Sequence, residues 1–299
     1  MSTVPARSGF IDNRSIAARL EEVARLLEQQ SANEFRVRAY RNGAATIRGL
    51  TRPVAEIYEQ DGVEGLDRLP TIGPALAYAI SELLTTGRLT MLERLRGEAD
   101  PVALLASVPG VGRGLAERLY DALQIETLEQ LEAAAHDGTL LRVPGFGAKR
   151  VAGIAEALAT RLARGRRTRV VREPEPTVAQ LLDVDSEYRE RAAAGDLPTI
   201  APRRLNPKGE AWLPILHTSR GPWQFTAMFS NTARAHELGK THEWVVLYFD
   251  AGDGEHQRTV VTAGAGSLKG KRVVRGRESE TEYFYRESEP MPSLFEGMP

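Results

Sequence analysis

The sequence predicts a two-domain α+β protein: an all-α module first, then a small α+β domain built on an antiparallel or mixed sheet. Three observations carry that prediction. A short turn phrase is written three times in the first half, as Leu69-Pro70-Thr71-Ile72-Gly73, Val108-Pro109-Gly110-Val111-Gly112 and Val143-Pro144-Gly145-Phe146-Gly147. Its closing glycines stand 39 and then 35 residues apart, so the phrase behaves as a repeat. Between residues 12 and 164 no strand-like alternation appears. Beyond Leu197 the character changes, because all three tryptophans and four of the five histidines lie there.

Asp12 or Asn13 caps a first helix with Ile16, Leu20, Val23 and Leu27 on one face, the spacing of an amphipathic helix. A second helix spans about Phe35 to Leu50 and a shorter one Pro53 to about Glu59. The first turn phrase follows, and its helix runs out at Gly87. Helices then alternate with glycine turns to about Arg164. Residues 165–196 form a basic, proline-containing connector and one helix, Val178 to Ala194. In the domain at 197–286, Trp244–Phe249, Arg258–Thr262 and Arg272–Val274 read as strands. Ser219–Pro222 and Asp253-Gly254 supply turns, and Ser230–Gly239 reads as a short helix ended by its glycine. The tail at 287–299, with its prolines, is expected to be disordered.

Composition narrows the class. The chain has 299 residues, 42% of them hydrophobic, and no stretch approaches the roughly 20 apolar residues of a membrane span. With no cysteine there is no disulfide, thiolate catalyst or cysteine-based zinc site. A cytoplasmic, nucleoid-associated protein with no membrane partner is expected. The net charge of −1 announces no polyanion partner, but its distribution does. Six arginines and no acid fall between Arg161 and Arg172, including Arg164, Arg166 and Arg167.

Each turn opens a helix. Glycine allows positive φ and close approach of a partner to the backbone. The helix behind it offers unpaired N–H groups and the positive end of its dipole, which together suit a phosphate. Gly73, Gly110, Gly112, Gly145 and Gly147 are therefore candidate DNA contacts. Arg113, Lys149 and Arg150 follow the second and third turns directly, where a side chain can join the amides on one phosphate.

The phrases Phe35-Arg-Val-Arg-Ala-Tyr-Arg-Asn-Gly-Ala-Ala45, Leu69–Ala77, Leu83-Leu-Thr-Thr-Gly-Arg-Leu89 and the two later turns occur in one order. In these the region 12–164 resembles the helix-hairpin-helix region of family X DNA polymerases, the bacterial members above all. The resemblance implies binding of duplex, nicked or gapped DNA in repair or recombination, with Arg38, Tyr40 and Arg41 near a DNA end. It also exposes departures. Where some members carry a Schiff-base lysine, this chain has Ala79, so that lyase chemistry is not expected. No Gly-Ser precedes Asp183-Val-Asp185 as a polymerase site would require. Thr71 stands where the turn pattern prefers glycine.

Two other readings stay open. A metal-dependent nuclease or residual nucleotidyltransferase would act through Asp183, Asp185, His217 or Asp250 with Mg²⁺ or Mn²⁺; otherwise no cofactor is expected. His217, His236, His242 and His256 show no ligand spacing, and no metal site is assigned. An adaptor would bring a repair protein to DNA, or dock on a sliding clamp through Met291–Phe295. The aromatics Trp223, Phe225, Phe229, Trp244, Tyr248 and Phe249 could stack on bases or form the core. Lys269, Lys271, Arg272, Arg275 and Arg277 form a second basic cluster.

Overall fold

The computed structural model describes residues 11–98, 100–123, 125, 128–162, 175–251 and 255–288. The first half is helical: α1 (Asn13–Gln29), α2 (Glu34–Gly49), α3 (Val54–Asp67), α4 (Pro74–Thr86), α5 (Thr90–Leu95), α6 (Pro101–Ala106), α7 (Arg113–Leu123), α8 (Leu128–His136) and α9 (Ala148–Leu162). Asp12 caps α1 by accepting the Ser15 N–H, and Ile16, Leu20, Val23 and Leu27 are buried as their spacing requires. Helix α3 runs further than its sequence suggests. It passes through a break at Gly62, where φ is +63°.

The second half holds α10 (Val178–Ala194), six strands, α11 (Ala233–Glu237) and α12 (Glu278–Ser288). The strands are β1 (Thr199–Ile200), β2 (Leu213–Arg220), β3 (Trp223–Phe229), β4 (Val245–Asp250), β5 (His256–Thr262) and β6 (Arg272–Val274). They form one sheet in the order of the chain, antiparallel throughout. The turn at Ser219–Pro222 joins β2 to β3; the Asp253-Gly254 turn lies outside the described residues, as do Ala163–Pro174 and the tail from 289.

Both faces of the sheet are covered. Thr218 and Arg220 of β2 reach Glu187 and Asp183 on α10, whereas their neighbour His217 points the other way and bonds Gln30 at the end of α1. Alternation along a strand produces this split. In consequence α1–α5, α10 and the sheet share one apolar core, and residues 102–158 close a second core of their own. Helix α10, assigned to the connector on sequence, is part of the first.

Among the described residues no helix is long and apolar enough to cross a membrane.

Candidate nucleic-acid interface

The three turn phrases adopt one backbone. The fourth residue donates its N–H to the carbonyl of the first: Ile72 to Leu69 (3.1 Å), Val111 to Val108 (2.9 Å) and Phe146 to Val143 (3.1 Å). Proline fills the second position. The third has positive φ, +64° at Thr71, +86° at Gly110 and +97° at Gly145. This is a type II turn, whose third position is costly for any residue but glycine. The apolar fourth residue is buried each time, at Ile72, Val111 and Phe146. The closing glycine then accepts the first helical bond, from Ala77, Ala116 and Val151.

The copies differ at the helix start. Helix α4 opens on Pro74, which has no N–H to offer, whereas α7 and α9 open on Arg113 and Ala148, which have one. A Cβ placed on any of the closing glycines, Gly73, Gly112 or Gly147, meets nothing within 4 Å. Thr71, out of place in the pattern, sits in the left-handed region and shares a 2.8 Å hydroxyl contact with Thr46.

Turns two and three are also locked to each other. A Cβ on Gly110 would lie 3.8 Å from Ile154 of α9; one on Gly145 would press to 2.9 Å from Leu115 and from Nη1 of Arg118, both on α7. Arg118 donates to the Pro144 carbonyl (2.9 Å), and Arg150 donates to that of Gly145. Arg150 therefore braces its own turn. Arg113 and Lys149 are exposed, and Arg113 makes an exposed contact with Glu117 at 3.3 Å. Arg164, Arg166 and Arg167 lie outside the described residues.

The proposed DNA-end trio is not brought together. Arg38 is exposed and lies over the Phe35 ring, and Arg41 is exposed and paired with Glu28 (2.6 Å). Tyr40 is instead buried, its hydroxyl 3.2 Å from the Met91 sulfur, and desolvation pushes its pKa up to about 12. It belongs to the core beneath the sheet and not to a surface pocket.

The catalytic candidates are also separated. Asp183 pairs with Arg220 at 2.5 Å on the α10 side. Asp185 is 1% exposed and gripped by Arg272, whose Nη2 and Nε lie 2.6 and 2.9 Å from its oxygens. His217 lies across the sheet, with Nε2 against Gln30 Oε1 (3.1 Å) and Nδ1 against Thr226 Oγ1 (3.0 Å). Burial, then the cations Arg36 and Arg94, depress its pKa to about 3. Asp250 ends β4 opposite Gln224. Among the described residues no three His, Asp or Glu side chains could hold a metal together.

The basic cluster of β6 is largely committed internally: besides Arg272, Arg277 bonds Glu280 and the Pro176 carbonyl, while Lys271 and Arg275 lie over Tyr285 and Trp244. Of the aromatics, Trp223, Phe225, Phe229, Tyr248 and Phe249 are buried and form core, not a platform. His236 and His242, distinct along the chain, both abut the Trp212 ring, at 6.1 and 5.9 Å.

Comparison with known proteins agrees with this geometry. A family model described as a helix-hairpin-helix domain matches residues 11–89, and one described as a SAM-like helix-hairpin-helix tandem matches residues 102–160. The chain is 27% identical over 178 residues to a protein of Bacillus subtilis (strain 168) named DNA polymerase/3'-5' exonuclease PolX. That match covers 57% of this chain but only 30% of the relative's length. The first half of this protein is thus a helix-hairpin-helix region resembling that of a bacterial family X polymerase, and such domains indicate DNA binding.

Proposed function

We propose that this protein grips the DNA phosphate backbone, without reading sequence, through the turns closing on Gly112 and Gly147, and that it does so in DNA repair. The observation that carries the reading is the pair of helix starts at α7 and α9. Each has an N–H on its first residue and, before it, a glycine whose Cβ position is empty. Backbone amides at a helix start bind phosphate oxygens irrespective of base. Arg113 and Lys149 extend the grip, and the arginines at 164, 166 and 167 follow the third hairpin in the sequence. The repair setting rests on the likeness to the polymerase relative; Arg38 and Arg41 remain candidates for the neighbourhood of a DNA end.

Gly112 and Gly147 do not use positive φ, and their Cβ positions are empty. Valine at both should therefore leave the fold intact while blocking phosphate approach. Fluorescence anisotropy on duplex, nicked, gapped and single-stranded DNA over a salt series tests this. With four to six phosphates engaged, the log–log slope of affinity on salt is roughly −4 to −5, and the double variant loses most binding. Full affinity in a folded Gly112→Val/Gly147→Val protein refutes the proposal.

A further inference from the structure

The loop between β1 and β2 lies against the second hairpin, and we infer that it is a second phosphate-binding element. In this arrangement Arg203 and Arg204 of the C-terminal half act beside Arg113. The inference rests on the DNA-backbone reading above and extends it to residues outside the helix-hairpin-helix region.

Arg113, Arg203 and Arg204 line one cleft of about 220 Å³ beside the start of α7. Three carboxylates share it, and each has a local partner. Asp100 caps α6 through the Ala103 N–H (3.0 Å), Glu98 reaches Arg96 (3.3 Å), and Glu117 makes the exposed contact with Arg113. An exposed pair one helical turn apart is weak and readily exchanged for a phosphate. Arg203 and Arg204 form no ion pair among the described residues. Arg204 lies over the Tyr120 ring of α7, 4.9 Å from its centroid, and its Nη1 is buried without an acceptor among the described residues. A buried donor left unpaired is unfavourable, so this guanidinium gains from any acceptor it can turn towards.

The loop is also held in place. The Arg203 N–H donates to the Gly97 carbonyl (2.6 Å), and the Asn231 side chain donates to the Arg204 carbonyl (2.9 Å). Gly97 has φ of +74°, and a Cβ there would come within 2.4 Å of the Ala201 carbonyl oxygen. The strand-side loop thus sits directly on the link between α5 and α6. Two arginines fixed in this way need little further ordering when they bind, which favours them over cations on a free tail. Guanidinium is also the fitting donor for the oxygens of a phosphodiester.

The test uses the full chain and a mixed-sequence duplex in the anisotropy salt series. Arg203→Gln/Arg204→Gln should lower affinity about tenfold at moderate salt and flatten the slope by about one to two, with an unchanged melting temperature. If the double variant does not fold, Arg203→Gln alone decides the matter, since that side chain is exposed. It should flatten the slope by about one. An unchanged slope in folded protein, while Gly112→Val/Gly147→Val still abolishes binding, overturns this inference and leaves the hairpin reading standing. A wild-type protein that binds no DNA overturns both.

Discussion

Lowering the pH from 7 to 5 should cost this protein about 2 kcal/mol of stability through one residue, His217. In the fold its pKa is depressed to about 3, against an ordinary value of 6.5. Between those values the unfolded chain binds a proton that the folded chain refuses, so acid favours unfolding. The contribution is fully present above pH 6.5 and is lost as pH falls through the window from 6.5 towards 3. At pH 5 the ordinary imidazole is about 1.5 units below its pKa, and each unit is worth 1.36 kcal/mol, giving about 2 kcal/mol. The structural cause is specific. Gln30 donates its amide to the Leu95 carbonyl (2.8 Å), which leaves its oxygen to accept from His217 Nε2. Nδ1 must then be the bare nitrogen that accepts from Thr226, and Arg36 and Arg94 oppose a second proton. Urea unfolding at pH 5 and 7, on wild type and His217→Gln, isolates the residue because every other titrating group is common to both. The pH-induced loss should be about 2 kcal/mol smaller in the variant. Equal losses would show that His217 is not held neutral, and that the packing of α1 on the sheet has been misread.

Three other substitutions probe the same framework. Asp185→Asn should destabilise by about 3 kcal/mol in denaturant unfolding, because it leaves the Arg272 charge buried without its main partner; a loss under about 1 kcal/mol would contradict the buried pair. Tyr188→Phe removes the hydroxyl that donates to the Pro214 carbonyl and accepts from the Phe229 N–H, and should cost about 2 kcal/mol in the same assay. Gly145→Ala should lower both thermal stability and DNA affinity, since the new methyl meets positive φ and presses on Leu115 and Arg118. A Gly145→Ala protein of wild-type melting temperature would show that this turn does not lock the tandem.

The hairpins were legible in sequence because their requirements are local. Proline second, glycine third and glycine fifth specify a type II turn and a helix start within five residues, whatever surrounds them. Thr71 was visible as a departure for the same reason, and it retains the left-handed backbone. The sheet was only partly legible: β4, β5 and β6 stand out as β-branched or aromatic runs. Strands β2 and β3 carry His217, Thr218 and Gln224 among their apolar residues, because the helices that cover the sheet bring polar partners to it: Gln30 meets His217 on the α1 side and Glu187 meets Thr218 on the α10 side. What failed was long-range burial. Asp185 is 87 residues from Arg272, and Tyr40 is 51 from Met91. A signal for Asp185 did exist, since it falls on the stripe of Leu181 and Tyr188, one turn from each along α10. Its charge hid it from a reading that sorted apolar from polar.

The two cores divide the work among the three turns. The first turn belongs to the core shared with the sheet: Gly43 of α2 is pressed close to Ile72 and Leu76. Its helix begins with proline, and its third position is a threonine braced by Thr46. These features fix packing, and the proline removes the N–H that α7 and α9 carry at the same position. The second and third turns close the other core, where each left-handed glycine lies under the opposite hairpin's second helix. Positive φ at Gly110 and Gly145 thus serves two ends, since it forms the turn and lets the hairpins meet without a Cβ between them. Two helix starts locked in this way present their amides at a fixed separation, which a repeating backbone charge requires and a single flexible turn cannot supply. The sheet domain then stands as more than an appendage, because its β1–β2 loop is pinned at Gly97, the joint between the two cores, and carries two arginines to the cleft beside the start of α7.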